Sequence, residues 1–152
     1  MEERARKRDA KAAISSHHHW SGISLDFIPL EHEGFIYEVY YLGKLIYVGK
    51  KSFWSNVSIA VPGKKRKQKV VKESNWKTYT GSSIDLNKAI RKLGKDKFIF
   101  KVVYLAKTKI DLTYYEVKAQ VENDVLNHPE MLNDCILGKF YKGRVSKLDK
   151  IT

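Results

Sequence analysis

Two tyrosines carry the first chemical signal in this chain. Tyr37 closes the triplet Phe35-Ile36-Tyr37, directly after Gly34, and Tyr47 opens the triplet Tyr47-Val48-Gly49. Nine residues lie between the two phenols. A phenol can hold and orient a water. It serves as a base only where a cation lowers a pKa that is ordinarily near 10. Lys50, next to the second triplet, is one such cation. The plain alternative is that both tyrosines pack across a sheet, as strand aromatics commonly do, with Lys50 a solubilising strand end.

Residues 35–41 and 45–50 are rich in aromatic and β-branched types and read as two strands, with Gly43 marking the turn. Hairpin geometry then sets a requirement. A two-residue Gly43-Lys44 turn pairs Leu42 with Leu45, puts Tyr47 opposite Tyr40 and sends the two phenols to opposite faces. A three-residue loop, Tyr41-Leu42-Gly43, pairs Tyr40 with Lys44 and sets Tyr37 opposite Tyr47 on one face. A shared site needs the second register, or another odd-length loop of the same symmetry.

Residues 83–93 predict a helix. Ser82 or Ser83 caps it, Leu86, Ile90 and Leu93 make one apolar face, and Gly94 stops it. A third strand is expected over 98–105 and a longer helix over 112–126, ended before Pro129. Residues 57–72 contain the turn signal Pro62-Gly63 and read as an exposed basic loop or loose hairpin. The order β-β-α-β-α predicts an α+β domain with a small, three-stranded, mainly antiparallel sheet flanked by helices. We expect a charged extension over 1–22, with a short helix over 2–13 and the histidine run His17-His18-His19 as a surface linker. The domain spans 23–138, and a basic, irregular tail occupies 139–152.

The net charge is +12, which favours a polyanionic partner. From Lys50 to Lys77 there are nine lysines or arginines and one acid, Glu73, with Trp54, Trp76 and Tyr79 close by. Clustered cations beside aromatics suit phosphate neutralisation and base or sugar contact. Lys51, Lys64, Lys65, Arg66, Lys67, Lys72, Trp76 and Lys77 are the candidate nucleic-acid contacts. The single cysteine, Cys135, excludes an internal disulfide and a cysteine-based zinc site. No apolar run is long enough to cross a membrane and no secretory h-region opens the chain, so a cytosolic protein is expected.

The triplets, their order and their spacing resemble the core of the GIY-YIG nucleases. Tyr114-Tyr115-Glu116 opens the long helix, where that family places its metal-binding glutamate, and Asn133 follows the helix, where the family often has an asparagine. Tyr47-Val48-Gly49-Lys50-Lys51, Glu73-Ser74-Asn75-Trp76-Lys77 and Gly81-Ser82-Ser83 are similar to the Seg-type phage homing endonucleases in particular. The resemblance implies double-stranded DNA as substrate, Mg²⁺ or Mn²⁺ as cofactor and, for a phage-encoded chain, the host cytoplasm as location. It implies Glu116 as the metal ligand, and Tyr37, Tyr47, Lys50 and Asn133 as its catalytic company, with Tyr37 orienting the water or helping to deprotonate it.

Other assignments compete residue by residue. Thr113-Tyr114-Tyr115-Glu116 fits a capping box, with Thr113 as N-cap and Glu116 bonded back to it, and Asn133 suits a turn. The family's helix arginine has no counterpart between Gly49 and Arg66, which leaves Lys50, Arg66, Lys72 and Lys77 as candidate phosphate clamps. The leading expectation is a metal-dependent DNA endonuclease. A DNA-binding module on the same fold without catalysis comes second, and a basic RNA-binding or ribosome-associated protein third.

Overall fold

The computed structural model describes residues 18–146 and 148–151. The expected helix over 2–13 and His17 lie outside these residues. The centre is a four-stranded sheet. It is built from β1 (Trp20–Ser21), β2 (Gly34–Tyr41), β3 (Lys44–Ser52) and β6 (Phe98–Ala106). β2 pairs antiparallel with both β3 and β6, and β1 adds a parallel pair on the far side of β6. The sheet is therefore mixed and one strand wider than expected.

The added strand lies in the segment expected to be an extension. Trp20 is buried, donates its indole N–H to the carbonyl of Trp76 (2.6 Å) and meets Phe35 and Tyr37 edge-on. Nor is the histidine run a surface linker within the described residues. His18 is buried, and His19 stacks on Trp20 and Phe100. A polar His-His-Trp segment gave no alternating signal that could have marked it as a strand.

One helix covers each face of the sheet. α1 (Ile84–Leu93) is capped by Ser83, whose hydroxyl accepts from the Leu86 N–H, and it buries Leu86 and Ile90. Gly94 ends it with φ of 97°, a conformation that glycine adopts without strain. α2 (Lys109–Glu122) starts about one turn before the expected 112 and ends before 126. Its cap is Thr108, which accepts from the Asp111 N–H. Thr113 is therefore interior, and the capping-box reading of Glu116 falls.

Strand alternation divides the core between the two faces. Phe35, Tyr37, Val39, Tyr47 and Phe53 pack with Trp76, Leu86 and Ile90. Ile36 and Val48 pack with Leu112, Ala119 and Val125.

Residues 57–72 belong to a regular hairpin, β4 (Trp54–Ile59) with β5 (Gln68–Glu73), which forms its own two-stranded sheet. The end of the chain is not wholly irregular either. β7 (Cys135–Ile136) pairs with β8 (Phe140–Tyr141).

Candidate active site

The β2–β3 hairpin satisfies the one-face requirement by an unexpected route. Its turn is two residues, Leu42-Gly43, both at positive φ (47° and 79°), and it pairs Tyr41 with Lys44. That turn alone would set Tyr37 opposite Val48 and send Tyr47 to the other face. The ladder shifts between Val39 and Tyr40, however. Tyr40 faces Leu45 while Val39 faces Tyr47, so Ile46 is an extra, unpaired residue. Tyr37 consequently faces Gly49, not Tyr47 as the odd-loop register required. The bulge restores the parity, and the two phenol rings share a face as diagonal neighbours with centroids 6.0 Å apart.

Gly49 makes that proximity possible. A Cβ there would sit 2.7 Å from the Tyr37 hydroxyl and 2.9 Å from Cε1 of Tyr47. Gly81, just before α1, closes the other side, where a Cβ would lie 3.2 Å from the Tyr37 hydroxyl. The Tyr37 phenol is thus enclosed, with 1% of its surface exposed. Burial raises its pKa well above 10, and the nearby Tyr47 and Tyr79 reinforce the rise. Burial also raises Tyr47, against the neighbouring Ser82 hydroxyl, which favours its ionised form. Neither phenol is made a ready base by the residues around it.

Tyr47, unlike Tyr37, lines an open cleft of about 330 Å³ with Ser82, Ser83, Glu116, Gln120, Asn133 and Asp134. The cleft wraps the outer edge of β3, the last strand of its sheet. Tyr47 comes to it from one face and Glu116 from the other. Side chains complete the edge's hydrogen bonds. The Val48 N–H donates to Oδ1 of Asn133 (3.1 Å), while the Val48 carbonyl accepts from Nδ2 of Asn133 (2.8 Å) and Nε2 of Gln120 (3.0 Å). The Glu116 carboxylate lies beside the Lys50 backbone N–H, which favours its ionised form. Asn133 is buried and spends its amide on Val48, so it shapes the cleft.

Glu116 is half-buried, and burial raises its pKa above the ordinary carboxylate value. The Lys50 charge and its backbone N–H pull the other way, towards the anion. Lys50 Nζ donates to the Thr113 hydroxyl (2.9 Å), one helical turn before Glu116. Among the described residues no three His, Cys, Asp or Glu side chains cluster as a protein-only metal cage. Glu116, with Asp134 on the lining of the same open cleft, suits a magnesium ion, which keeps several waters and leans on one or two carboxylates plus substrate phosphate.

Lys51 projects to the tyrosine face, opposite to Lys50. Its ammonium sits 4.2 Å from the centre of the Tyr79 ring, and burial lowers its pKa. It is a better-placed cation beside the tyrosines than Arg66, which lies in the loop between β4 and β5. Alternation along β3 could have indicated this from the sequence. Lys64, Lys65, Arg66, Lys67 and Lys72 are all exposed on the hairpin. Lys77 is half-buried and pairs with Glu73 at 3.7 Å. Trp76 must be corrected. It is fully buried with its indole N–H on Glu73, and it packs against Phe35 and Phe53. A core tryptophan cannot stack on a base.

A small α+β domain with two glycine-backed tyrosines on a central hairpin, and a glutamate from the following long helix at their edge, is the architecture of a GIY-YIG domain. The family profile described as "Putative endonuclease segE, GIY-YIG domain" matches residues 18–142, and the chain belongs to that family. No curated protein and no solved structure matches the chain. The match takes in the β1 strand and the β7–β8 hairpin along with the central sheet.

Proposed function

We propose that this chain is a metal-dependent endonuclease that hydrolyses phosphodiester bonds in double-stranded DNA, of phage or mobile-element type. The observation that carries this reading is the meeting of Tyr47 and Glu116 in one cleft, with Lys50 beside them. Glu116 would hold Mg²⁺ or Mn²⁺, which supplies positive charge to the phosphate and the departing oxygen. Tyr47 offers its hydroxyl to the attacking water. Tyr37, behind it, fixes the Tyr47 ring and limits its rotation. Water bonds to phosphorus as the ester P–O bond opposite breaks, and the proton that the water gives up passes through solvent to the departing oxygen.

Lys50 serves twice. Its charge keeps Glu116 ionised, and it offsets charge gathering on the phosphorane. Lys51, over Tyr79, is the cation best placed to meet the phosphate from the tyrosine side. Asn133 is a positioning residue, holding β3 where Tyr47 and Lys50 need it. No described helix is long and apolar enough to cross a membrane.

A plasmid-cleavage assay with and without Mg²⁺ tests the reading, comparing wild type with Glu116→Ala. Metal-dependent cutting that the substitution abolishes is expected. Cutting that survives it removes Glu116 from the chemistry. The second reading, a DNA-binding module without catalysis, draws on the upward shift of both phenols and on the absence of an arginine between Gly49 and Arg66. It is the outcome if every duplex is bound and none is cut.

A further inference from the structure

We propose that the β4–β5 ribbon is a sequence-reading arm that enters the major groove of the duplex. The inference rests on the DNA-cutting reading above and assigns its specificity to this chain's own hairpin. Every residue of β5 is exposed. A lone two-stranded ribbon is marginal in water, and this one is fastened at its root. The Ser74 N–H donates to the Phe53 carbonyl (2.8 Å), and the Trp54 indole donates to the His32 carbonyl (2.9 Å). Beyond that root it projects as a free arm.

The arm has a definite inner face. Trp54, Asn56 and Val71 line a groove of about 700 Å³ together with Lys50, Lys51 and Lys109. Alternation puts the Ser58–Lys69 pair on the same face, further out. Asn56, Ser58 and Lys69 are exposed. Asparagine pairs bidentately with adenine, lysine reaches guanine, and serine serves either.

Dimensions agree. Six residues per strand make roughly 20 Å of ribbon, and the major groove, about 12 Å wide, admits a two-stranded ribbon. The groove also leads to the chemistry. Lys50 lines it, and the Glu116 carboxylate lies beside the same residue. A strand lying along Lys109 and Lys50 therefore arrives at the glutamate as the arm reaches the bases. The run Lys64-Lys65-Arg66-Lys67 at the tip suits backbone phosphates.

The test is selection from a random duplex library by the full chain carrying Glu116→Gln, which keeps the duplex whole. Enrichment of a short motif is expected. Asn56→Ala with Lys69→Ala should lower the affinity ratio of selected to scrambled duplex by roughly 5- to 150-fold per lost base contact. Removing the four tip cations should weaken both duplexes alike and flatten the salt dependence. The proposal fails if no motif is enriched. It fails equally if the motif survives both Asn56→Ala/Lys69→Ala and replacement of residues 57–70 by a two-residue turn. Should the shortened chain not fold, the double substitution, at exposed positions, decides alone. A motif that needs the arm in a chain that never cuts would refute the nuclease and keep the arm. Cutting at a motif indifferent to the arm would do the reverse.

Discussion

Gly49 faces Tyr37 across the β2–β3 ladder, and its missing Cβ is what leaves room for the phenol. Both neighbours are aromatic rings packed in the core, so neither can yield cheaply. Gly49→Ala should cost about 1–3 kcal/mol by overpacking. It should also cost on the order of 100-fold in cleavage by displacing Tyr47. Thermal melting and single-turnover rates check the two effects. A variant with wild-type rates would show that the ring positions do not matter.

Asn133 and Val48 make a second testable pair. Asn133→Ala leaves the buried Val48 N–H without a partner, while the carbonyl keeps Gln120. A loss of about 1–3 kcal/mol is expected. Asn133→Asp should be no better, because its acceptor-only carboxylate would face the Val48 carbonyl that Nδ2 now serves. Denaturant titrations of both variants measure this. An aspartate variant as stable as wild type would contradict the pairing.

Glu116 must be ionised to hold a cation, and burial raises its pKa. Metal affinity should therefore fade on acidification at a higher pH than an ordinary carboxylate near 4.5 would show. Lys50→Met removes the opposing charge and should move that acid limb upward again. The same shift has a stability sign. A carboxyl with a raised folded pKa favours folding in its neutral form, and that contribution is lost as pH rises through the folded value. In metal-free buffer Glu116→Gln should thus melt higher than wild type at pH 7, and the gap should close at pH 4. Calorimetry of Mn²⁺ binding and melting curves across pH provide the readouts.

His19 gives an independent pH signature away from the cleft. Burial, then the charges of Lys95 and His18, push its pKa down to about 4 from an ordinary 6.5. Both ring nitrogens are shut from solvent without hydrogen-bond partners. Its neutral form supports the fold above pH 6.5, and this support is withdrawn as pH falls from 6.5 towards 4, by no more than about 3 kcal/mol. His19→Phe should flatten that stretch of the stability–pH curve. An unchanged slope would assign acid sensitivity elsewhere.

The tyrosines, both helices and the α+β class were legible because strand alternation, caps and helical spacing are local. Ser83 and Gly94 delimit α1 as their chemistry dictates. Beyond β1 and the regular β4–β5 and β7–β8 hairpins, three features were not legible. Ile46 bulges without a sequence marker, since any β-branched residue suits either ladder position. Trp76 sits among basic residues yet belongs to the core, because a long-range contact with Trp20 claims it. Thr113 fits a cap pattern, but Thr108 captures that role two residues past the end of β6. For the site, the register was wrong in detail and right in parity, and the lysines divided between faces as alternation demands.

The outer edge of β3 has a consequence for how copies of this protein meet. Strand edges with free N–H and carbonyl groups are templates on which further strands add, from the same molecule or another. Here Gln120 and Asn133 occupy that template at Val48, and Glu116 lies against it beside Lys50. The side chains that frame the cleft are also a stopper against sheet growth between molecules. Losing one of them would cost solubility as well as shape.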